Sequence, residues 1–123
     1  MTTAEQLVWA RDEGLCFKCG AVLSSYWPGY SCHHRQLKSG GGSDTPENRV
    51  MLCGSGVTGD HGWAHAIRAE AQELGFIVSR YANPADVPVK HWRLGMVYLT
   101  ADGRIITMAD MDAAASEEEI DGT

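Results

Sequence analysis

Histidines and cysteines carry the chemistry in this chain, and both are grouped. Four of the five histidines fall between Ser31 and His65, as an adjacent pair, His33 and His34, and as a pair four positions apart, His61 and His65. Residues four apart share one face of a helix, so two imidazoles at that spacing can grip one divalent ion together. An imidazole also has an ordinary pKa of about 6.5, which suits it to take a proton from water near neutral pH. Upstream, Cys16-Phe17-Lys18-Cys19-Gly20 is a knuckle, in which two thiolates three positions apart can hold one Zn²⁺ while the glycine permits the tight turn. Two small buried side chains in a turn would give the same spacing, and only a second pair of ligands separates the two cases.

The elements that must position these groups are legible from periodicity. Thr3 followed by Gln6 is a capping-box pattern, and it predicts a short helix from about Ala4 to Asp12 or Glu13 that ends at Gly14. Tyr30 to Arg35 and Arg49 to Cys53, the second with the apolar run Val50, Met51 and Leu52, predict a two-stranded antiparallel ribbon. Between them Gln36 to Glu47 contains Ser39-Gly40-Gly41-Gly42-Ser43, too long for a tight hairpin and read as a flexible polar loop; Lys38 beside those glycines can approach a phosphate backbone closely. From His61 to Leu74 the pattern is helical. Trp63, Ala64, Ile67, Ala71 and Leu74 share one arc of the wheel, and His61, His65, Arg68 and Gln72 share another, so both histidines lie on a polar stripe instead of an apolar one. Phe76 to Arg80 reads as a strand, Pro84 and Pro88 bracket a loop, and Gly95 to Thr100 with Arg104 to Met108 reads as a hairpin around Ala101-Asp102-Gly103.

A chain of 123 residues fits one domain, small enough that a metal staple would help its core. It has no run of about 18 apolar residues and no basic-then-apolar order at its start, so a soluble, intracellular protein with no membrane partner is expected, in which Cys16, Cys19, Cys32 and Cys53 are reduced. The net charge of -6 argues against a polyanion partner until its distribution is read. Six of the sixteen acidic residues lie between Asp110 and Asp121, and no Lys or Arg follows Arg104, so residues 1–109 carry ten acidic and ten basic groups. The expected organisation is one domain over 1–109 and an acidic, disordered tail over 110–123.

A strand carrying His-His, a long loop, a strand opening at Asn48 and a helix with His-x-x-x-His together resemble the HNH, or ββα-metal, endonuclease family. The resemblance covers about Cys16 to His65. The wording Leu52-Cys53-Gly54-Ser55-Gly56 through His61-Gly62-Trp63 is similar to that of the small HNH proteins encoded in bacteriophage genomes. It implies an α+β fold: a ββα-metal core with an N-terminal helix, a cysteine-based zinc knuckle and a C-terminal β-hairpin. It also implies hydrolysis of DNA phosphodiester bonds in the cytoplasm of a bacterial host cell, with a large terminase subunit of a phage as a possible partner in genome packaging.

Residue by residue, the resemblance makes His33, His61 and His65 ligands of a catalytic divalent ion (Mg²⁺, Mn²⁺, Ni²⁺ or Zn²⁺), His34 the general base, and Asn48 the residue that holds the base's loop by hydrogen bonds. Three imidazoles leave open positions, as in a catalytic site. Arg35 or Arg68 would contact a nonbridging phosphate oxygen, and Lys38, Arg49 and Arg68 would bind DNA. His-His in a regular strand raises one difficulty, because neighbouring side chains face opposite ways unless the strand ends or bulges there. His91 stands outside the motif and reads as a surface or packing residue.

The sequence departs from the family at the structural zinc. Relatives with this knuckle supply two further cysteines, one at Cys53 and one where this chain has Asp60. Cys16, Cys19, Cys53 and Asp60 could close a tetrahedral site; Asp60 could instead cap the helix, with Cys32 completing the shell or the site lost. The alternative to a nuclease is a zinc-stabilised module that binds nucleic acid or protein without catalysis. A zinc protease is disfavoured, because Gly62 stands where His-x-x-x-His would need its Glu base.

Overall fold

A computed structural model describes residues 1–26, 29–55 and 57–113. Its first helix, α1 (Thr3–Asp12), starts one residue earlier than the spacing suggested, because Thr2 Oγ1 and not Thr3 accepts the Glu5 N–H, at 3.2 Å. It stops where Glu13 turns left-handed, at φ 61, followed by Gly14 at φ 68. The last turn of α1 is then tied across to the ribbon. Asp12 accepts the Met51 N–H at 2.9 Å, while Arg11 donates to the Arg49 and Pro46 carbonyls at 2.6 and 2.8 Å.

The ribbon itself pairs β1 (Tyr30–His34) with β2 (Arg49–Cys53), antiparallel, with His33 opposite Val50 and Tyr30 opposite Cys53. β2 falls on the expected stretch with its apolar run, and β1 ends one residue before the expected Arg35. Val50, Met51 and Leu52 are buried on both faces, since α1 and the cysteine knuckle cover the outer edge of β2, where the Met51 carbonyl accepts the Phe17 N–H at 2.8 Å. After β2 the chain reverses at Gly54, at φ 84, where an added Cβ would lie 1.9 Å from the Thr58 carbonyl oxygen, and so only glycine fits.

The single helix expected from His61 to Leu74 is two. The first, α2 (Gly59–Ala66), ends at Ile67, whose φ of -114 and ψ of 64 leave the helical region, and α3 (Arg68–Glu73) follows. Ile67 is β-branched and 47% exposed, so neither χ1 freedom nor burial favours continuing the helix through it. The stretch expected as a strand at Phe76 to Arg80 is also not one. Phe76, Ile77 and Val78 are buried, but their backbone bonds go to Ala71 and Arg35 in a connecting segment instead of to a ladder. The periodicity signalled burial correctly and the element wrongly.

A second sheet closes the core. β3 (Val89–His91), β4 (Gly95–Leu99) and β5 (Ile105–Thr107) run antiparallel in that order, so the expected hairpin gains an outer strand from residues read as following a loop. Val89, Val97 and Leu99 of this sheet belong to one buried cluster with Phe17, Phe76 and Leu52. Residues 108–113 are helical, begun by a reciprocal cap in which Thr107 Oγ1 accepts the Asp110 N–H and Asp110 Oδ2 accepts the Thr107 N–H, at 3.1 and 3.0 Å. The acidic segment expected to be disordered from residue 110 therefore begins in this helix, and the rest of it, 114–123, lies outside the described residues. The whole is a small α+β fold with two antiparallel sheets. Among the described residues no helix is long and apolar enough to cross a membrane.

Candidate metal centre

Among the described residues two groups of ligand-bearing side chains converge, with α2 contributing to both. The first is Cys16, Cys19, Cys53 and Asp60, whose ligand atoms all lie within 4.8 Å of one another. The knuckle is shaped by its backbone: Leu15 and Val22 form a bridge, Cys16 donates to the Ala21 carbonyl at 2.8 Å, and the Gly20 N–H closes back on the Cys16 carbonyl at 2.8 Å. Gly20 has φ +78, and a Cβ there would come within 2.7 Å of the Trp92 ring, so the knuckle requires glycine twice over.

β2 delivers Cys53 and the first turn of α2 delivers Asp60. Cys16 Sγ and Cys53 Sγ lie 3.2 and 3.4 Å from Asp60 Oδ2, and Cys19 Sγ lies 3.9 Å from Cys53 Sγ. Around a tetrahedral Zn²⁺, with Zn–S about 2.3 Å and Zn–O about 2.0 Å, sulfurs sit about 3.8 Å apart and sulfur and oxygen about 3.5 Å. The donor set therefore fits a four-coordinate ion. Asp60 turns its carboxylate to the thiols, and Cys32 takes no part: it sits opposite Met51 in the ribbon, packed against the core.

The electrostatics point the same way. Burial pushes the Cys16 and Cys19 thiols up from their usual range, and the Cys32 thiol up to about 11. Burial also works to raise Asp60, but hydrogen bonds from the Cys19, Cys16 and Cys53 thiols outweigh it and hold the carboxyl below its usual range. Without a cation Cys16 and Cys19 keep their protons on sulfur; a divalent ion would displace them.

The second group is His33, His61 and His65, again with ligand atoms within 4.8 Å of one another. Their ring centroids are 4.6 to 5.6 Å apart. His61 and His65 Nε2 are 3.0 Å apart, and two nitrogens each about 2.1 Å from one ion stand about 3.0 Å apart at a right angle. His33 is 2% exposed, and its Nε2 lies 2.6 Å from the Phe76 carbonyl oxygen. A carbonyl can only accept, so Nε2 carries the proton and Nδ1 keeps its lone pair, the way a metal-binding histidine is commonly fixed from behind. Burial lowers the His33 pKa to about 4, and burial together with His65 lowers that of His61, which keeps both rings neutral and able to bind a cation at neutral pH.

His33, His34, His61 and His65 line one cleft of about 340 Å³, with Lys38 at its mouth. β1 ends at His34, which answers the difficulty of two neighbouring histidines in a strand. His34 stays outside the three-histidine cluster, and its Nε2 meets Asp44 Oδ1 at 2.7 Å. Asn48 is fully buried and ties the loop shut at both ends: Oδ1 accepts the Gln36 N–H at 2.7 Å, and Nδ2 donates to the Gln36 and Ser43 carbonyls at 3.0 and 2.8 Å.

Two arginines are not where the sequence suggested. Arg35, expected at a phosphate oxygen, is 0% exposed and donates to the Gly75, Glu47, Pro84 and Val87 carbonyls. It stitches the ribbon to the segments before β2 and β3 and cannot reach a ligand. Arg49, expected on DNA, is 6% exposed, with its guanidinium held by the Cys32 carbonyl at 3.2 Å and facing Glu5 and Asp44 at 3.7 and 3.9 Å. Lys38 is exposed and pairs with Asp44 at 3.3 Å; Arg68 is exposed but opens on a neighbouring cleft. His91 is a packing residue, with Nδ1 accepting the Arg93 and Leu94 N–H groups and its ring edge-on to Phe17.

Sequence reasoning missed Asp44 and the Phe76 carbonyl, the two groups that orient the imidazoles of His34 and His33. No spacing rule connects residue 44 with residue 34 or a backbone oxygen with residue 33; only the closed loop brings them together. No protein-family model, curated protein or solved structure matches this chain.

Proposed function

We propose that this chain is a metal-dependent endonuclease of the HNH type, hydrolysing DNA phosphodiester bonds, with β1, β2 and α2 as its ββα core. The observation that carries the proposal is the division of labour among four histidines in one cleft. Three converge on a common point, and the fourth stands beside them, held by a carboxylate and by no ligand position.

His33, His61 and His65 would hold a divalent ion, which when bound supplies Lewis-acid stabilisation of charge on phosphate and on the leaving oxygen. The chain's own groups do the rest. His34, with Nε2–H directed at Asp44, has Nδ1 available to take the proton of an attacking water. Asn48 fixes the ends of the loop that carries Lys38, which lines the cleft, and Asp44, which holds His34. Lys38 would meet a phosphate oxygen as a point charge. Cys16, Cys19, Cys53 and Asp60 would hold a structural Zn²⁺ that pins the start of α2 to the knuckle. A phage source and a role beside a large terminase subunit rest on the wording of the sequence alone.

The test is supercoiled-plasmid cleavage with Mg²⁺, Mn²⁺, Ni²⁺ and Zn²⁺ in turn, comparing the parent with His34→Ala and His65→Ala. Metal-dependent nicking by the parent, lost in both variants, is expected. Equal nicking by all three proteins would assign the activity to a contaminant. Retained DNA binding with no cleavage under any metal would identify a binding module instead.

A further inference from the structure

Beside the histidine cleft lies a second one, of about 400 Å³, between the loop after β1 and the turn after α3. No pattern along the chain signals it, because its lining comes from three segments distant in sequence, residues 36–40, 68–72 and 77–80. On one unbroken helix His61, His65, Arg68 and Gln72 would form a single stripe; as built, the histidines face one cleft and Arg68 and Gln72 face the next. The two clefts adjoin at the loop, since Leu37 lines both, with Lys38 on one side and Ser39 on the other.

The lining includes the apolar Leu37, Ile77 and Val78, and its charged groups are all cationic. Arg68 and Arg80 contribute two guanidinium groups, Gln36, Gln72, Ser39 and Ser79 contribute hydrogen-bonding groups, and among the described residues no carboxylate lines the cleft. Its far wall is fixed in advance, because Gln36 Nε2 donates to the Ser79 and Ala82 carbonyls, at 2.9 Å each, and so holds the turn carrying Arg80 against the end of β1. Arg80, in the lining, lies over the ring of the next residue, Tyr81, 4.9 Å from its centroid, and donates to its hydroxyl at 2.7 Å. Tyr81 itself is 84% exposed, an aromatic face next to a cation, the pairing on which unstacked bases rest.

We propose that this second cleft is a subsite for a flanking phosphodiester, with its base against Tyr81, on the same nucleic-acid strand whose scissile bond enters the histidine cleft. Such a subsite presupposes the function proposed above. It gives a chain with no net charge over residues 1–109 a local site for a polyanion, and it makes strand binding depend on two arginines remote from the histidines.

Binding of a fluorescent single-stranded DNA of about twelve nucleotides, followed by anisotropy across a salt series, tests it directly. Arg68→Gln/Arg80→Gln should weaken binding about tenfold or more and flatten the salt dependence by about 1.4 in log–log slope, two phosphate contacts at about 0.7 each. Tyr81→Ala should weaken binding several-fold with the slope kept. Lys90→Gln/Arg104→Gln removes the same charge elsewhere and should change affinity less than about threefold. Equal weakening by the two double variants, an unchanged slope in Arg68→Gln/Arg80→Gln, or a parent that does not bind the strand overturns the subsite. Hydrolysis of bis(p-nitrophenyl) phosphate by the parent is followed separately, because so small a diester does not span both clefts. Its absence together with that of plasmid nicking would sink the nuclease, while strand binding alone decides the subsite.

Discussion

The cysteine cluster and the histidine cluster are built from the same start of α2, yet they suit opposite tasks. Asp60 belongs to one and His61, the next residue, to the other, because a step of about 100° around a helix carries neighbours to different sides. The cysteine group brings four donors from the knuckle, β2 and α2, fills a tetrahedron, and ties together segments that are distant in sequence. The histidine group brings only three, on the wall of an open cleft. A full shell lends an ion's binding energy to the fold, whereas an incomplete one leaves the ion free for chemistry. On the function proposed above, the first cluster would set the register in which the second works.

The comparison breaks most simply at the closed cluster. Cys16 is fully buried at the centre of the knuckle, and Cys16→Ser replaces a soft thiolate with a hydroxyl that would have to ionise. We expect loss of metal binding and of most of the roughly 5–15 kcal/mol that holds a domain of this size together. Thermal melts with and without chelator check it: the parent should unfold on chelation at a temperature where Cys16→Ser is already unfolded. A Cys16→Ser protein that melts like the parent would mean that the cysteines are merely packed.

Changes at the open cluster should separate function from stability. His34→Ala should reduce cleavage about 10²- to 10⁴-fold, the usual worth of a positioned base, and leave metal content unchanged. His65→Ala, at an exposed helix position, should cost cleavage as heavily and also lose the ion, with the melting temperature shifted by only a few degrees. Plasmid cleavage, metal analysis and a melt on the same preparations read all three. If His65→Ala unfolds the protein as Cys16→Ser should, the two clusters are not different in kind.

How much of this could be read from the chain varies with how local the signal was. β1, β2, the knuckle and the pair His61 and His65 follow from patterns within a few residues, and the structure keeps them. α2 and α3 were run together because one apolar stripe spans both, and nothing in a helical wheel marks Ile67 as the place where packing turns the chain. The buried run Phe76-Ile77-Val78 looked like a strand for a related reason: burial is visible in composition, but a ladder partner is not. Arg35 and Arg49 differ most from expectation: Arg35 beside a histidine pair and Arg49 after Asn48 read as nucleic-acid contacts, but their hydrogen bonds end on backbone carbonyls.

Asp60 sharpens the comparison at a lower level of effect. Its carboxylate lies against two thiols and is the hard donor in an otherwise soft set. Asp60→Cys should keep the shell closed and tighten Zn²⁺, while Asp60→Asn, which removes a charge without changing shape, should weaken it about tenfold or more. Competition against a colorimetric chelator measures both. Equal affinity in the parent and both variants would return Asp60 to the role of a residue that merely begins a helix.

The smallest expected effect concerns Asp44, which is exposed and acts on His34 from outside the cleft. Its carboxyl is held below the usual range, first by the His34 hydrogen bond and then by that of Lys38, so it stands as a carboxylate facing the imidazole. An ionised Asp44 favours the tautomer with the proton on Nε2, and therefore Nδ1 as the acceptor; an amide can turn either its oxygen or its nitrogen to the ring and loses that preference. Because the pair is solvated, the preference is modest. Asp44→Asn should lower kcat by about three- to tenfold with KM for plasmid nearly unchanged, and Asp44→Glu should recover part of the loss. Steady-state nicking rates decide it. A change in KM alone would mean that Asp44 acts through Lys38 on DNA binding, and would leave His34 oriented by the strand end by itself.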